Sequence, residues 1–272
     1  MTSPHLHAAA LGALQGVTEF LPVSSDGHLA LAEVLFGLKT GGLTFNVLLH
    51  AGTLLATMIV LRQQLWRALR EGLLALFKPS RFRTTPGGRD ALVIVVASIP
   101  TALIGLGLRD AVERWTEDPL AIGLGFLGTT VVLVLSGLAR RGDAEQPSLW
   151  GALAIGIAQG FAVLPGLSRS GSTISSALWL GVRPDRAFEL SMLMSLPAVL
   201  GALLLETPKA LEHGRLETPA LLGAFAALLV GIGALLLLQR LVRRGRFMWF
   251  ALWVGPLAIA TIAMGLAWPQ AH

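Results

Sequence analysis

Residues 18–28 read TEFLPVSSDGH, a polar stretch that places two acids, two serines and a histidine between apolar segments. The chain has 272 residues, of which 54% are hydrophobic and only 14% are charged. A soluble domain usually carries about 25% charged residues, so this composition is typical of an integral membrane protein. The sequence therefore predicts an all-α polytopic membrane protein in which residues 1–272 form one domain. It contains no cysteine, which excludes disulfides, thiolate nucleophiles and cysteine metal ligands.

The charged residues between the apolar runs predict how the chain crosses the membrane. Residues 62–89 hold seven basic side chains against one acid, and residues 239–246 hold four basic side chains and no acid. Basic loops favour the cytoplasm, whereas residues 109–118 and 206–217, which carry more acid than base, are expected outside. The basic loops account for the net charge of +5, so no nucleic-acid partner is expected.

Six apolar runs are long enough to cross a hydrocarbon core of roughly 30 Å as helices. They cover residues 43–61, 91–108, 119–138, 188–205, 219–238 and 247–267. Two further regions, residues 6–38 and 149–181, consist of short apolar stretches on either side of a polar loop. Because neither half of either region is long enough to span, we interpret both as re-entrant helix-loop-helix pairs that enter and leave by the same face.

The two re-entrant regions resemble each other in sequence. LQGVTEFLPVSSDG at residues 14–27 echoes AQGFAVLPGLSRSG at residues 158–171, and each region precedes three predicted spans. The loop charges give the two halves opposite orientations, with both termini outside. We therefore predict an inverted-topology repeat, with one half at about 1–140 and the other at about 147–272, whose broken helices meet near the bilayer midplane.

Several charged side chains within or beside apolar segments are expected to face the protein interior in pairs. They are Glu19, Asp26, Glu33, Arg169 and Glu189. A charge at the centre of a membrane helix costs about 2.5–3.5 kcal/mol on insertion scales. Two interpretations are open at this point: an ion pair between Asp26 and Arg169 could join the two halves structurally, or the charges could form a ligand site.

The second polar loop, PGLSRSGST, has the chemistry of a phosphate-binding site. Helix N-termini bind anions, and a guanidinium can bind phosphate oxygens through two parallel hydrogen bonds. Hydroxyl groups add donors, and glycine lets backbone N–H groups approach a ligand. Arg169 would also stabilise charge on a transferring phosphoryl group. We expect a phosphate or diphosphate cradle formed by Gly166, Ser168, Arg169, Ser170 and Thr173.

The first polar loop has complementary chemistry. Gln15 and Glu19 are four residues apart and share one helical face. There, an amide oxygen and a carboxylate suit a hard divalent cation such as Mg²⁺ or Ca²⁺. Ser24, Ser25 and His28 follow in the chain, and we expect Ser24 to join the substrate-binding residues of the other loop. A hydroxyl near an imidazole and a carboxylate is the pattern of a nucleophile with its base.

The stretches QGVTEFLPVSSDGH and PGLSRSGST resemble the two signature motifs of the undecaprenyl-diphosphate phosphatase family, bacterial membrane enzymes associated with bacitracin resistance. The similarity in plan extends over essentially the whole chain. The resemblance implies metal-dependent hydrolysis of undecaprenyl diphosphate to undecaprenyl phosphate and inorganic phosphate at the outer, periplasmic face of the plasma (inner) membrane. This reaction returns the lipid carrier to peptidoglycan synthesis. Family roles map onto Gln15, Glu19, Ser25, His28, Ser168, Arg169 and Thr173.

Two positions depart from the commonest family pattern. Position 15 is glutamine where many members have glutamate, which leaves fewer negative charges for a metal ion. Asp26 stands where the family often has threonine. Its carboxylate could restore the missing charge as a metal ligand, or it could pair with Arg169.

Several alternatives remain open from the sequence. Glu19, Ser25, His28 and Arg169 are the predicted catalytic groups, but Ser25, His28 or a water activated by Glu19 and the metal could attack phosphorus. Secondary transporters are also built as inverted repeats, so a transporter or flippase of a phosphorylated polyprenyl lipid is the alternative function. The expected partners are the polyprenyl diphosphate and the bilayer, and a homodimer is neither required nor excluded.

Overall fold

The computed structural model describes residues 4–36, 42–139, 142–213 and 218–267. Over these ranges the secondary structure is helical, and the β-type pairing found there is one isolated bridge between Ala144 and Val182. The helices are α1 (Pro4–Thr18), α2 (Ser25–Phe36), α3 (Gly42–Val60), α4 (Arg62–Phe77), α5 (Arg81–Thr84), α6 (Pro86–Gly107), α7 (Arg109–Thr116), α8 (Pro119–Ser136), α9 (Leu149–Phe161), α10 (Arg169–Trp179), α11 (Pro184–His213), α12 (Thr218–Arg243), a 3₁₀ helix (Phe247–Phe250) and α13 (Ala251–Ala267).

Six helical segments of the described chain are long and apolar enough to cross a membrane, which confirms the six predicted spans. They are Gly42–Val60, Pro86–Gly107, Pro119–Ser136, Pro184–Pro208, Thr218–Arg243 and Phe247–Ala267. The second span begins at Pro86 rather than at residue 91, because Thr85 caps helix α6: its side chain accepts a hydrogen bond from Gly88 N, and proline suits the first helical position. Polar residues thus extend this helix beyond its apolar run.

The two regions that we interpreted as re-entrant pairs each fold as two short helices joined by an irregular segment. Helices α1, α2, α9 and α10 contain 15, 12, 13 and 11 residues, which gives lengths of about 16–23 Å. Pro22 and Pro165 lie in the two connecting segments. Ser24 and Ser168 then begin the second helix of each pair, where their hydroxyls accept hydrogen bonds from the backbone three residues later. The two connections therefore share the same local plan.

The first helix of each pair packs closely on a spanning helix from the other half of the sequence. Helix α1 packs on α12, and α9 packs on α6. A Cβ added to the first glycine of GALQG, residues 12–16, would lie 2.0 Å from the carbonyl oxygen of Gly223. A Cβ added to the first glycine of GIAQG, residues 156–160, would lie 2.2 Å from the carbonyl oxygen of Ala97. Glycine is needed at both places because the backbones of the paired helices nearly touch.

Around these pairs, α3 packs on α11 and α12, and α8 packs on α13. The core between the helices is apolar and includes the fully buried rings of Phe126 and Phe188. Large apolar side chains also remain exposed along the spans, among them Leu103, Leu204 and Ile259. An apolar outer surface is what a membrane-spanning helix presents to lipid.

The basic segment at residues 62–89, which we treated as a charged loop, contains helices α4 and α5. On α4, Trp66, Leu69, Leu73 and Leu76 recur every three or four residues and are all exposed. A helix with such an apolar stripe and basic residues on its other faces is typical of the membrane interface. The period of these apolar side chains predicts the helix, whereas the count of basic residues alone does not.

Candidate active site

The two polar loops are in direct contact, although they lie far apart in the sequence. A Cβ added to Gly27 would lie 2.8 Å from the Cα of Gly166. Gly166 has a φ of +86°, and Ser24 has a φ of +68°. A positive φ is uncommon for a residue other than glycine, so the turn that leads into α2 is sharply constrained. The contact brings the N-termini of α2 and α10 together.

An ion pair between Glu19 and Arg169 lies at the centre of this contact. Arg169 Nη2 donates a hydrogen bond to Glu19 Oε1. The other oxygen of the carboxylate, Oε2, accepts from Ser25 Oγ at 2.7 Å and from Gln15 Nε2 at 3.0 Å. The Glu19 side chain is 6% exposed and that of Arg169 is 22% exposed. Three donors therefore compensate the desolvated carboxylate.

Arg169 pairs with Glu19 and not with Asp26, so the Asp26 to Arg169 ion pair considered from the sequence is absent from the structure. Asp26 lies in the first turn of α2, where a carboxylate interacts favourably with the helix dipole. Its side chain is 56% exposed, and its nearest charged contact is between Oδ1 and His50 Nε2, at 3.9 Å. Glu19 is therefore the partner of the arginine, while the half-exposed carboxylate of Asp26 lies at the edge of the site beside His50.

Glu189 does not join this cluster. It accepts hydrogen bonds from Arg186 Nη1 at 2.6 Å and from Gln64 Nε2 at 3.3 Å, at the other end of helix α3. The side chain of Glu33 lies outside the described part of the structure. Of the five charged residues expected in the interior, Glu19 and Arg169 are thus the pair that links the loops.

His28 forms hydrogen bonds with Ser24 and Trp253 and none with Ser25, whose hydroxyl bonds to Glu19 instead. Its Nδ1 lies 2.8 Å from Ser24 O, which can only accept, so Nδ1 carries the proton. Its Nε2 therefore accepts a hydrogen bond from Trp253 Nε1 at 3.2 Å, and the two rings are stacked. The structure thus pairs the Ser25 hydroxyl with a carboxylate rather than with the imidazole.

The hydroxyl groups of the second loop brace the loop around Arg169. Ser168 caps α10, and its backbone N–H donates to Thr129 Oγ1 at 2.8 Å. Thr173 Oγ1 donates to Arg169 O at 2.8 Å and also contacts Ser191 Oγ. Ser170 Oγ lies 3.3 Å from Ser168 Oγ. The predicted substrate-binding residues are therefore together, and their hydroxyls fix the backbone that carries the guanidinium.

Four contributors to the site were not among our predicted site residues: His50, Thr129, Ser191 and Trp253. They lie in four different apolar spans, α3, α8, α11 and α13. Trp253 is 225 residues from His28, to which it donates. Since hydroxyls and tryptophan are common in membrane spans, no local pattern distinguishes the last three of these residues, and only the packing of the helices identifies them.

Gln15 presents a buried oxygen that has no hydrogen-bond partner. Its Nε2 faces Glu19 and also lies 3.4 Å from His50 Nε2. His50 Nδ1 lies 2.9 Å from Asn46 O, so Nδ1 carries a proton and donates to that carbonyl. Because the Glu19 carboxylate can only accept, the amide nitrogen of Gln15 must face it. Gln15 Oε1 is thereby left buried and without a hydrogen bond.

A buried oxygen without a hydrogen bond is unfavourable in apolar surroundings, and a hard divalent cation would give Gln15 Oε1 a partner. Amide and carboxylate oxygens are the ligands that Mg²⁺ and Ca²⁺ prefer, and both ions readily keep water or substrate oxygens as further ligands. Gln15 Oε1 and the carboxylates of Glu19 and Asp26 could supply the protein ligands. Within the described ranges, no cluster of three or more histidine, aspartate and glutamate side chains is arranged to hold a metal ion by itself.

Comparison with known proteins identifies the family. The family model described as Bacitracin resistance protein BacA matches residues 8–260. The chain belongs to this family. Because the match includes both polar loops and all six spans up to the middle of α13, the site described above belongs to the shared fold.

Curated relatives are similar to this chain along nearly their whole length. A protein from Acaryochloris marina is 42% identical, with 96% of this chain and 99% of the relative aligned. One from Desulfosudis oleivorans is 40% identical, with coverage of 96% and 98%. One from Carboxydothermus hydrogenoformans is 38% identical, with coverage of 96% and 97%. All three relatives are named undecaprenyl-diphosphatase.

The ion pair predicts a specific pattern of stability changes. Arg169→Gln leaves the Glu19 carboxylate buried without its countercharge. Breaking a buried pair in this way typically costs 3–5 kcal/mol, and we expect about 2–3 kcal/mol here because Arg169 is 22% exposed. The double variant Glu19→Gln/Arg169→Gln should regain most of this loss, since both charges are then absent.

Unfolding of the purified variants in detergent, followed by circular dichroism, measures the effect. Arg114→Gln, on exposed α7, is the matched control and should change stability by less than about 0.5 kcal/mol. Equal stability of the Arg169→Gln and Arg114→Gln proteins would contradict a stabilising role for the pair.

Proposed function

We propose that this protein hydrolyses undecaprenyl diphosphate to undecaprenyl phosphate and inorganic phosphate. The observation that carries this proposal is the contact between the Ser25 hydroxyl and Glu19, beside Arg169, in a chain whose relatives are named undecaprenyl-diphosphatase. A hydroxyl, a carboxylate and a guanidinium are the groups needed to transfer a phosphoryl group. The product would return the lipid carrier to peptidoglycan synthesis and so support bacitracin resistance.

The same observations favour hydrolysis over transport of a phosphorylated lipid. A transporter needs groups that bind phosphate, but it does not need a hydroxyl hydrogen-bonded to a buried carboxylate. In this site Ser25 Oγ lies 2.7 Å from Glu19 Oε2, which is the geometry of a nucleophile with its base. The printed names of the relatives also describe a diphosphatase rather than a carrier.

We propose Ser25 as the nucleophile and Glu19 as its base. Glu19 Oε2 would take the hydroxyl proton as Ser25 Oγ attacks the terminal phosphorus. The bond from that phosphorus to the bridging oxygen then breaks, and undecaprenyl phosphate leaves. Water would hydrolyse the resulting phosphoserine to release phosphate. His28 is less suited to attack because its Nε2 lone pair is already engaged by Trp253; its role would be to fix the backbone at Ser24.

Arg169 would bind the diphosphate while it pairs with Glu19. One of its terminal nitrogens contacts the carboxylate, so its other N–H groups remain for phosphate oxygens. It also occupies the first position of α10, and the first N–H groups of a helix have no partner within the helix. Guanidinium and helix N-terminus together would stabilise the charge that develops on the phosphoryl oxygens. Gly166, Ser168, Ser170 and Thr173 would hold this loop in place.

A divalent cation is part of the proposed mechanism. Gln15, Glu19 and Asp26 would hold it, and when bound it would neutralise charge on the diphosphate and make its terminal phosphorus easier to attack. The orphaned oxygen of Gln15 is the structural observation that supports this metal. The role of the protein is to supply these oxygens and to keep Glu19 ionised beside Arg169.

The nucleophile is tested with Ser25→Ala. We expect this variant to lose hydrolysis of undecaprenyl diphosphate by at least about 10²–10⁴-fold, because neither the attacking oxygen nor its contact with Glu19 remains. Ser98→Ala is the matched control, since the Ser98 hydroxyl bonds only to its own helix at Ile94 O. Phosphate release by the purified proteins measures the rates, and mass spectrometry of quenched reactions should detect phosphate on Ser25. Parental turnover by Ser25→Ala would exclude serine attack.

The metal site is tested with Gln15→Glu. This change places a second carboxylate against Glu19, so a cation should be required to relieve the repulsion. The melting temperature of the variant should therefore rise more with added Mg²⁺ than that of the parent, and more chelator should be needed to stop hydrolysis. Gln63→Glu, outside the site, is the control. An equal response of variant and parent to Mg²⁺ and chelator would argue against metal binding at residue 15.

We also propose that the fold is an inverted-topology repeat with two re-entrant helix pairs. The matching serine caps of α2 and α10 support it, and so does the reciprocal packing of α1 on α12 and of α9 on α6. The charges of the loops then orient the chain in the bacterial inner membrane with both termini outside. The two polar loops would meet near the bilayer midplane, in a site that opens to the outer, periplasmic face.

This orientation is tested by cysteine labelling in the cysteine-free chain. Glu113→Cys, on exposed α7, should react with a membrane-impermeant maleimide in spheroplasts, because α7 should face the periplasm. Arg83→Cys, on exposed α5, should react only after the membrane is permeabilised, because α5 should face the cytoplasm. Labelling of residue 83 in intact spheroplasts would overturn the proposed orientation.

A further inference from the structure

A polar cavity lies away from the candidate active site. It has a volume of about 420 Å³ and is formed where α4, α6 and α11 begin. Its lining includes four arginines and two glutamates: Arg67, Arg89, Arg183, Arg186, Glu145 and Glu189. None of these residues contacts Glu19, Ser25 or His28. Such a concentration of charge inside a membrane protein calls for a ligand or for internal pairing.

The cavity and the active site lie at different levels of helix α3. His50, which faces the active site, lies ten residues before Val60, the last residue of α3. At 1.5 Å per residue this is about 15 Å along the helix axis. The cavity begins beyond that end, since Gln63 and Gln64 of α4 line it. It is therefore a separate site rather than an extension of the first.

Two of the four arginines are committed to ion pairs with carboxylates of the cavity wall. Arg186 donates to the fully buried Asp90 and to Glu189, and its Nε lies 3.4 Å from Glu145. Asp90 Oδ1 also accepts from Gln146 at 2.6 Å. Arg183 pairs with Glu145 at 3.0 Å and with Asp185 at 3.2 Å. Both lining glutamates therefore have an arginine partner, and Arg183 and Arg186 share their two positive charges among four carboxylates: Asp90, Glu145, Asp185 and Glu189.

The other two arginines keep most of their donors free. Arg67 Nη2 lies 3.7 Å from Asp90 Oδ2, too far for a hydrogen bond, and the Arg67 side chain is 43% exposed. Arg89 is exposed at the start of α6, and its guanidinium forms no ion pair with any residue in the described ranges. Two guanidinium groups with free N–H donors therefore face one preformed cavity. This is the arrangement that binds a tetrahedral oxyanion.

We propose that this cavity binds a phosphate group through Arg67 and Arg89. Its volume lies within the range of roughly 300–1,000 Å³ that is usual for small-molecule sites. Helix α4, which carries Arg67, also has the exposed apolar stripe of an interfacial helix, and basic pockets between membrane helices bind lipid headgroups. The phosphate is either the headgroup of an anionic lipid or free inorganic phosphate.

The test uses the double variant Glu19→Gln/Arg169→Gln, so that phosphate cannot be held by Arg169 in the active site. Calorimetry in detergent measures the binding of inorganic phosphate, of dihexanoyl phosphatidic acid and of dihexanoylglycerol, which has no phosphate. Binding of phosphatidic acid alone identifies a lipid headgroup as the ligand, and binding of inorganic phosphate identifies the free ion. Binding of neither, or equal binding of dihexanoylglycerol, overturns the proposal.

Substitutions in the same protein then locate the bound phosphate. Arg67→Gln and Arg89→Gln should each weaken binding by roughly tenfold to a hundredfold, as expected for the loss of charge-assisted hydrogen bonds. Arg70→Gln removes the same charge from α4 outside the cavity lining and should change the affinity by less than about twofold. An equal loss in all three variants means nonspecific attraction and overturns the site.

With residues 19 and 169 intact, Arg67→Gln and Arg89→Gln should hydrolyse undecaprenyl diphosphate at parental rates, which verifies their fold.

Discussion

The ion pair between Glu19 and Arg169 is the interaction on which the rest of the site depends. Glu19 lies in the break between α1 and α2, and Arg169 lies at the start of α10, just after the break that follows α9. Neither could be buried alone, because a desolvated charge without a partner costs several kcal/mol. Each loop therefore supplies the countercharge that the other requires. The pair also brings Ser25 to the same carboxylate, so the contact that stabilises the buried charges also assembles the groups that we propose as catalytic.

The close helix packing makes this meeting of the loops possible. Helices α1 and α9 are too short to cross a bilayer, so each must be covered by protein at its end, where backbone groups are no longer satisfied within the helix. Glycines let α1 lie against α12 and α9 against α6, and Gly27 lets the first loop touch Gly166 of the second. Each serine cap satisfies one N–H group in the first turn that follows it, that of Gly27 in α2 and that of Gly171 in α10. The irregular backbone is thus tolerated only where the two loops meet.

Much of this arrangement could be predicted from the sequence, for identifiable reasons. The six spans are predicted by the lengths of apolar runs, and the candidate residues are found because polar side chains stand out in an apolar chain. The partner of Arg169 could not be predicted, since Glu19 and Asp26 lie in one loop and only the direction of α2 decides between them. Trp253 and Thr129 were missed because their contacts connect distant spans. The arginine cavity was missed because its residues come mostly from the starts of three helices, which composition alone cannot bring together.

The central claim is that both loops act on one diphosphate at the Glu19 and Arg169 pair. A cryo-electron microscopy structure with a bound polyprenyl methylenediphosphonate, which cannot be hydrolysed, tests this claim most directly. The account predicts that the terminal phosphonate lies between the loops, within hydrogen-bonding distance of Arg169 and with its phosphorus facing Ser25 Oγ. Density for the diphosphonate elsewhere, for example at Arg67 and Arg89 with the loop contact empty, would contradict it.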